Sequence, residues 1–438
     1  MATRCLATIA VEAKPVEPLP PMTTTAIVHD LAATVMARCD TLGAISEEEG
    51  RLTRRSYTQA MRRANDQVAA WMRAAGMDVR EDPAGTLLGH YAASKPGAPT
   101  LLLGSHLDSV RDAGRYDGPL GVLVGLAAVE QLGCVGRRLP FAVEVAAFAD
   151  EEGLRFGRSY LGSMAFTGSF PPALLELRDP DGVRLADAIA AFGGDPARLG
   201  AAARRPEDLL AYLEVHIEQG PQLEARNLPL GVVSAIAGAT RATLRFGGTA
   251  GHAGTVPMEL RHDALCAAAQ TVLIAEELAR ATPGLVATVG QIAALPGAGN
   301  VIPGVATISL DVRHQHDPAR IAAVDELRAR AQAAASARGV TLAWEELQST
   351  SAVPMAPGLR ARLARAIAAG GHTPLELPSG AGHDAAVLAR FTDAAMLFVR
   401  CRGGISHHPA EAVDVADVAA AIAAVGRWID DLAGEPYP

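Results

Sequence analysis

Cysteine is scarce in this sequence. Its 438 residues hold five (Cys5, Cys39, Cys134, Cys266 and Cys401), odd in number, scattered and without a CxxC pair. That pattern excludes a disulfide framework and predicts reduced, buried thiols in a cytoplasmic protein. Aromatic residues are few as well, 4% of the chain, although 49% of it is apolar, which is the profile of an Ala-rich globular enzyme. No apolar run free of charges and breakers approaches the roughly 20 residues needed to span a bilayer. Charge of one sign is nowhere concentrated. The net charge is -9, with no basic stripe or like-charge block, which argues against nucleic acid and against an anionic membrane as partners. The opening "MATRCLATIAVEAKPVEPLPP" has one short apolar run and a Pro-rich sequel, a poor secretion signal. Residues 1–24 are predicted to be a disordered extension.

The rest is long enough for two or three domains. Residues 25–80 show apolar positions three and four apart, in "TAIVHDLAATVMARCDTLGAI" and "SYTQAMRRANDQVAAWMRAAG", and predict helix. "TLLGHY", "TLLLGSHL" and "FAVEVAAFAD" read as buried strands, with "GVLVGLAAVEQL" as a helix between the last two. Strand, polar loop and helix in repetition imply an α/β sheet with functional residues at strand ends. The character changes near residue 233. "TRATLRFGGTAG", "LVATVGQIAAL", "ATISLDVRH" and "TLAWEEL" read as strands, and "RHDALCAAAQTVLIAEELARA" and "RIAAVDELRARAQAAASARG" as long helices. The expected organisation is a larger α/β domain over 25–232 and 348–438, with a smaller α+β domain inserted at 233–347. No internal repeat is evident.

Hard and metal-ligating side chains collect at particular places. "GSHLDSVRDAGRYDGPLG" puts His106 at a strand end and Asp117 in a Gly-rich loop able to fold back toward it. Imidazole and carboxylate are the ligands that divalent ions take in catalytic sites. Asp108 is close enough to accept the ring N–H of His106. The plain alternative is a polar surface loop. In "AAFADEEGLRF" the carboxylates Glu151 and Glu152 repel each other unless a cation lies between them or one is protonated. One could ligate while the other serves as general base; a solvated acidic turn is the alternative. "YLEVHIEQGPQLE" adds His216 after an apolar strand, with Glu218 and Gln219 beside it, and "GGISHHPAE" adds His407 and His408 before a proline. Any one piece could be surface or core. Four together, each at the end of an apolar strand or in a Gly-rich loop, point to one metal centre.

From about residue 30 to the C-terminus the chain resembles the metallopeptidase M20 family, in its hydantoinase/carbamoylase branch. That branch includes allantoate amidohydrolases, N-carbamoyl-L-amino-acid hydrolases and β-ureidopropionases. The resemblance rests on "GSHLDSV", "GRYDGPLGVL", "FADEEGLRFG", "HIEQGPQLE", "GTAGHAGTVPM", "GNVIPG" with "DVRH", "SGAGHDA" and "GISHHPAE", in the family's order. The short gap from His106 to Asp117, and a histidine in "HIEQG" where the peptidases carry a carboxylate, set it apart from the dinuclear aminopeptidases.

The resemblance implies a large dinuclear-metal α/β catalytic domain with an inserted α+β lid through which two copies dimerise. It implies two divalent ions per subunit, zinc or manganese, with cobalt or nickel as alternatives, on His106, Asp117, Glu152, His216 and His407. Asp117 would bridge them and Glu151 would be the base; His408 is the rival to His407. Substrate contacts would come from Gln219, Asn300, Arg313 and His252, the last reaching the neighbouring subunit's site as an oxyanion stabiliser. Arg313 offers a planar fork suited to a carboxylate. The implied reaction is hydrolysis of a linear ureido bond in a small-molecule substrate. Allantoate stands first, because "AFADEEGLRFGRSYLGSMAFTG" and "GVVSAIAGATR" look more like allantoate-type members. L-carbamoylases tend to carry Asn rather than Asp before the paired glutamates. N-carbamoyl-L-amino acids or β-ureido acids are the alternative. A non-catalytic binding protein of the same fold would be expected to lack a ligand or the base, and neither is missing.

Overall fold

The computed structural model describes residues 24–434. The expected extension lies outside the described residues apart from Thr24, which opens the first helix, Thr24–Gly43. The stretch read as helical over 25–80 holds two helices, and its last residues belong instead to a strand, Asp78–Glu81. The second helix, Gln59–Ala74, begins where the Thr58 side chain accepts the amide of Met61 at 3.2 Å, an N-cap that fixes its start. Between them the chain wraps round Arg54, which is completely buried. Its guanidinium donates to the carbonyl oxygens of Leu42, Ile45 and Leu107.

Strands β1 (Asp78–Glu81), β2 (Leu87–Tyr91), β3 (Thr100–His106), β4 (Ala142–Phe148), β5 (Leu209–Ile217) and β6 (Leu230–Ile236) come first. β7 (Gly238–Gly247), β8 (Gly251–His252), β9 (Val286–Thr288), β10 (Ile292–Leu295), β11 (Val301–Ile302), β12 (Val305–His314) and β13 (Thr341–Thr350) follow. β14 (Val353–Pro354), β15 (Glu376–Ser379) and β16 (Ala394–Val399) end the series.

Among the described residues, nine strands form the larger sheet in the order β1-β2-β4-β3-β5-β16-β6-β14, with β15 also paired to β6. β4, β3, β5 and β16 run parallel, so their carboxyl ends share one edge. β3 leads through helix Pro119–Cys134 to β4 on one side, while β5 lies on the other. A reversal of this kind opens a crevice beyond the strand ends, the usual ligand position in open α/β sheets. These strands read as continuous apolar runs because both faces are covered. Leu101 and Leu103 point into a core beneath helices Thr24–Gly43, Pro119–Cys134 and Val415–Ala433, and Leu102 packs with Phe148, Tyr212 and Phe398 on the opposite side. Helix Pro119–Cys134 is apolar all round its first three turns and enclosed there, while its end emerges, so that Cys134, like Cys266, is exposed rather than buried as expected. Gly121 lets the helix lie on β5, since a Cβ there would collide with the carbonyl oxygen of Val215.

The second sheet has the order β10-β12-β7-β13, with β9 also on β12, all antiparallel. Helices Ala264–Ala281 and Asp317–Ser336 cover one face, against Leu244, Phe246, Ile308 and Leu310. The alternation read in the sequence is visible in β7 and β12, where buried residues alternate with half-exposed or exposed ones. The chain enters this sheet at Ala237 and leaves it at 351–352, a few residues beyond the expected 233 and 347. Both crossings are stitched: Asp317 accepts the amide of Ala352 at 3.1 Å, and Ser234 donates to Gln315 at 2.7 Å. Several strands have no counterpart in the sequence reading, among them β1, β6, β14, β15 and β16. β8 and β11 pair as a separate ribbon, too short to show a hydrophobic period.

Candidate metal centre and active site

The parallel strands deliver the clustered ligands. His106 ends β3 and pairs in register with Phe148 of β4, whose continuation carries Glu151 and Glu152. His216 lies near the end of β5, opposite Phe398 of β16, and the loop after β16 carries His407. Asp117 directly precedes the N-terminal turn of helix Pro119–Cys134, where the helix dipole favours a negative charge.

Asp117 is the meeting point. Its Oδ1 is 3.1 Å from His216 Nε2 and 3.6 Å from His106 Nε2, and its Oδ2 is 3.3 Å from His407 Nε2. Glu152 Oε1 is 3.5 Å from His407 Nε2, and Glu151 Oε2 is 3.8 Å from His106 Nε2. Two triads able to hold a cation result, His106–Asp117–His216 and Asp117–Glu152–His407, sharing Asp117. A third grouping joins His106, Glu151 and Glu152. Of the two neighbouring histidines, His407 faces the carboxylates, whereas His408 accepts the amide of Ala410 through Nδ1.

The imidazoles are prepared as ligands. Carbonyl oxygens only accept, so the contacts from His106 Nδ1 to the Asp108 carbonyl (3.0 Å) and from His216 Nδ1 to the Ile217 carbonyl (2.9 Å) place a proton on each Nδ1. The Nε2 lone pairs then point into the pocket. His216 Nε2 is buried and has no hydrogen-bond partner, the kind of orphaned atom a cation would satisfy. Charge agrees with this donor set. Burial pushes Asp117 up, but His216, His106 and His407 together hold its carboxyl well below the usual range. Burial pushes Glu151 well up, with His106 opposing and Glu152 reinforcing. Burial and then the charge of Asp117 bring Glu152 to about 7.

Asp108 acts differently from expectation. Its main-chain oxygen, not its carboxylate, takes the ring N–H of His106. The carboxylate instead accepts the amides of Glu151 (3.2 Å) and Glu152 (3.1 Å) and so fixes the acidic turn. Gln219 lies in the cluster, its Nε2 donating to Asp117 Oδ2 at 2.7 Å. Arg313 is not among the residues that line this pocket, and its fork is already engaged: Nε and Nη2 hold Asp311 (2.7 and 2.8 Å), and Nη1 donates to the Gly380 carbonyl. His252 and Asn300 are not brought to the cluster. Both are exposed on the β8/β11 ribbon, where His252 pairs with Val301 and the amide of Ala253 donates to the Asn300 carbonyl at 3.0 Å. Asp150 is buried and is not among the residues that line the pocket.

The sequence reading missed Glu411 and Ser406. Buried Glu411 accepts the amides of Tyr116 (2.8 Å) and Asp117 (3.1 Å), and Ser406 donates to Asp117 Oδ2 at 2.6 Å. Both lie in the "GISHHPAE" segment that also carries His407. Glu411→Ala strands two buried amides, so unfolding free energy should fall by about 3 kcal/mol, measured by denaturant titration. Glu411→Gln, which keeps an acceptor oxygen, should recover most of it.

Residues 102–431 match the peptidase family M20/M25/M40. The chain belongs to this family. Among M20 relatives, an N-carbamoyl-L-amino acid amidohydrolase of Geobacillus stearothermophilus is 44% identical over 371 residues, 84% of this chain and 91% of its own. An allantoate deiminase of Arabidopsis thaliana is 37% identical, covering 92% of this chain and 83% of its own. A hydantoinase/carbamoylase family amidase from Burkholderia ambifaria superposes with a TM-score of 0.86 at 34% identity, covering 92% of this chain and 98% of that one.

Proposed function

We propose that this M20 protein is a metal-dependent amidohydrolase that cleaves a linear ureido C–N bond, with allantoate as substrate. The observation that carries the reading is the pair of ligand triads joined at Asp117, with Glu151 beside them. His106, Asp117 and His216 would hold one divalent ion, and Asp117, Glu152 and His407 the second. Bound there, such ions supply the positive charge that acidifies water and polarises a carbonyl oxygen. Glu151 takes the proton of the water that attacks the ureido carbon and passes it to the departing nitrogen. The carbamate released breaks down to ammonia and CO2, leaving ureidoglycine; a second water, with loss of a second ammonia, converts that to ureidoglycolate. Gln219 orients the substrate from the cluster.

The exposed ribbon bearing His252 and Asn300 lies away from its own pocket, which fits a contribution to a neighbouring copy. We therefore infer a homodimer formed through an inserted lid at 233–347, with the catalytic domain over 25–232 and 348–438. Arg313 would take the substrate carboxylate only by giving up its hold on Asp311, or with the Nη hydrogens that Asp311 and Gly380 leave free. No helix among the described residues is long and apolar enough to cross a membrane. We assign the enzyme to the cytoplasm, acting on a small ureido acid without nucleic acid or membrane.

The Geobacillus relative, at 44% identity, favours a second reading, an N-carbamoyl-L-amino-acid hydrolase. The test is ammonia release by metal-reconstituted protein on allantoate, N-carbamoyl-L-methionine and N-carbamoyl-β-alanine in parallel. Rapid release from allantoate alone is the expected outcome. The reverse order makes the enzyme a carbamoylase, and no release from any of the three overturns the function.

A further inference from the structure

Tyr160 lines the cavity of about 190 Å³ that also holds His106, Asp117, Glu151, Glu152, His216 and His407. Its backbone is left-handed, with φ 69°, a conformation a bulky non-glycine residue holds only when its surroundings enforce it. The enforcement is visible. The amide of Tyr160 donates to the Glu151 carbonyl (3.3 Å), that of Leu161 to Asp150 (3.3 Å), and that of Gly162 to Ala149 (2.7 Å). The turn bearing the phenol is therefore bolted to the turn bearing Glu151. The ring end rests over Gly382, where any Cβ would collide with the hydroxyl, so a glycine there keeps the phenol in place.

The hydroxyl makes no hydrogen bond within the described protein, and its residue is only partly buried. The phenol thus lines the cavity on a turn tied to that of the base, its hydroxyl against Gly382 and unengaged by the described protein.

We propose that Tyr160 is a specificity-determining residue, its hydroxyl hydrogen-bonding the polar side group of a ureido acid. A substrate with a second ureido group, such as allantoate, satisfies it. The apolar side chain of an N-carbamoyl-amino acid leaves it desolvated and unpaired, which is how a polar site rejects an isostere lacking the partner. This rests on the function proposed above and names the feature by which that site would choose among its substrates.

The test compares Tyr160→Phe with the parent on allantoate and N-carbamoyl-L-methionine. The ratio of kcat/KM for the two should fall at least about fivefold in favour of the apolar substrate, the size of one hydrogen bond. Metal content and Tm should be unchanged. As a readout apart from turnover, calorimetric titration of allantoate into Glu151→Gln and into Glu151→Gln/Tyr160→Phe should give a Kd raised by a similar factor in the double variant. An unchanged ratio with unchanged Kd overturns the role of Tyr160 while the parent's activity leaves the function standing. Loss of metal with an unchanged ratio would make Tyr160 structural and overturns it too. If the parent hydrolyses neither acid, the proposed function falls first and Tyr160's role falls with it.

Discussion

Replacing Glu151 by glutamine is expected to lower turnover by about 10³-fold or more while the protein keeps its ions and its substrate affinity. The side chain is buried, sits 3.8 Å from His106 Nε2 and belongs to neither of the triads that share Asp117. Burial pushes its carboxyl up, with His106 opposing. Glutamine keeps the shape and cannot carry the proton. Its main-chain amide still donates to Asp108, so the acidic turn should hold its form. The measurement is kcat for ammonia release, beside metal analysis and a calorimetric Kd. A kcat within tenfold of the parent would remove Glu151 from the proton pathway. Lost metal would make it a ligand instead, as the grouping with His106 and Glu152 allows.

Asp117→Asn should have the other large effect, on metal content. Both carboxylate oxygens are in use, Oδ1 toward His106 and His216 and Oδ2 toward His407, so neutralising this one side chain weakens two sites together. His407→Ala removes a partner from one triad only. After dialysis against a chelator, Asp117→Asn should retain neither ion and show no turnover, and His407→Ala should retain one. Affinity losses beyond about 100-fold are expected, since even groups that merely orient a ligand are worth 10- to 100-fold. An Asp117→Asn protein that still held one ion would make Asp117 a terminal ligand and dissolve the shared site. Ser406 and Gln219, which also donate to Oδ2, provide a further check: they can hold an amide oxygen in place, so loss of metal would reflect charge rather than collapse.

The clustered residues were legible in the sequence because each sits at a change of pattern, where an apolar strand gives way to a polar turn. His106, Glu151, Glu152 and His216 follow runs buried on both faces, which mark parallel strands and put their ends together. What stayed hidden has a common physical cause: it depends on main-chain groups or on partners far away along the chain. No spacing rule shows that Glu411 accepts amides at Tyr116 and Asp117, or that Asp108 offers its carbonyl to His106 and its carboxylate elsewhere. Nor does "DVRH" reveal that Asp311, two residues before Arg313, already fills the guanidinium fork. The ribbon holding His252 against Val301 has two residues a side, below any detectable periodicity. The break between the first two helices is likewise held by a distant partner, since buried Arg54 meets the carbonyl groups of Leu42 and Ile45 and that of Leu107, far along the chain.

The two crossings between the sheets also bear on how such a chain can change over time. Thr350 pairs with Ala239 on one side of the passage and Val353 with Ile236 on the other, so the segment departs and returns at a single point. Everything from 238 to 350 can therefore be lengthened, exchanged or cut out for a short linker with no strand of the larger sheet losing its neighbour. The ligand-bearing strands β3, β5 and β16 and the turn after β4 would stand as before. Descendants could thus acquire new partners and substrate contacts through one portion while inheriting the ligand cluster of the other intact.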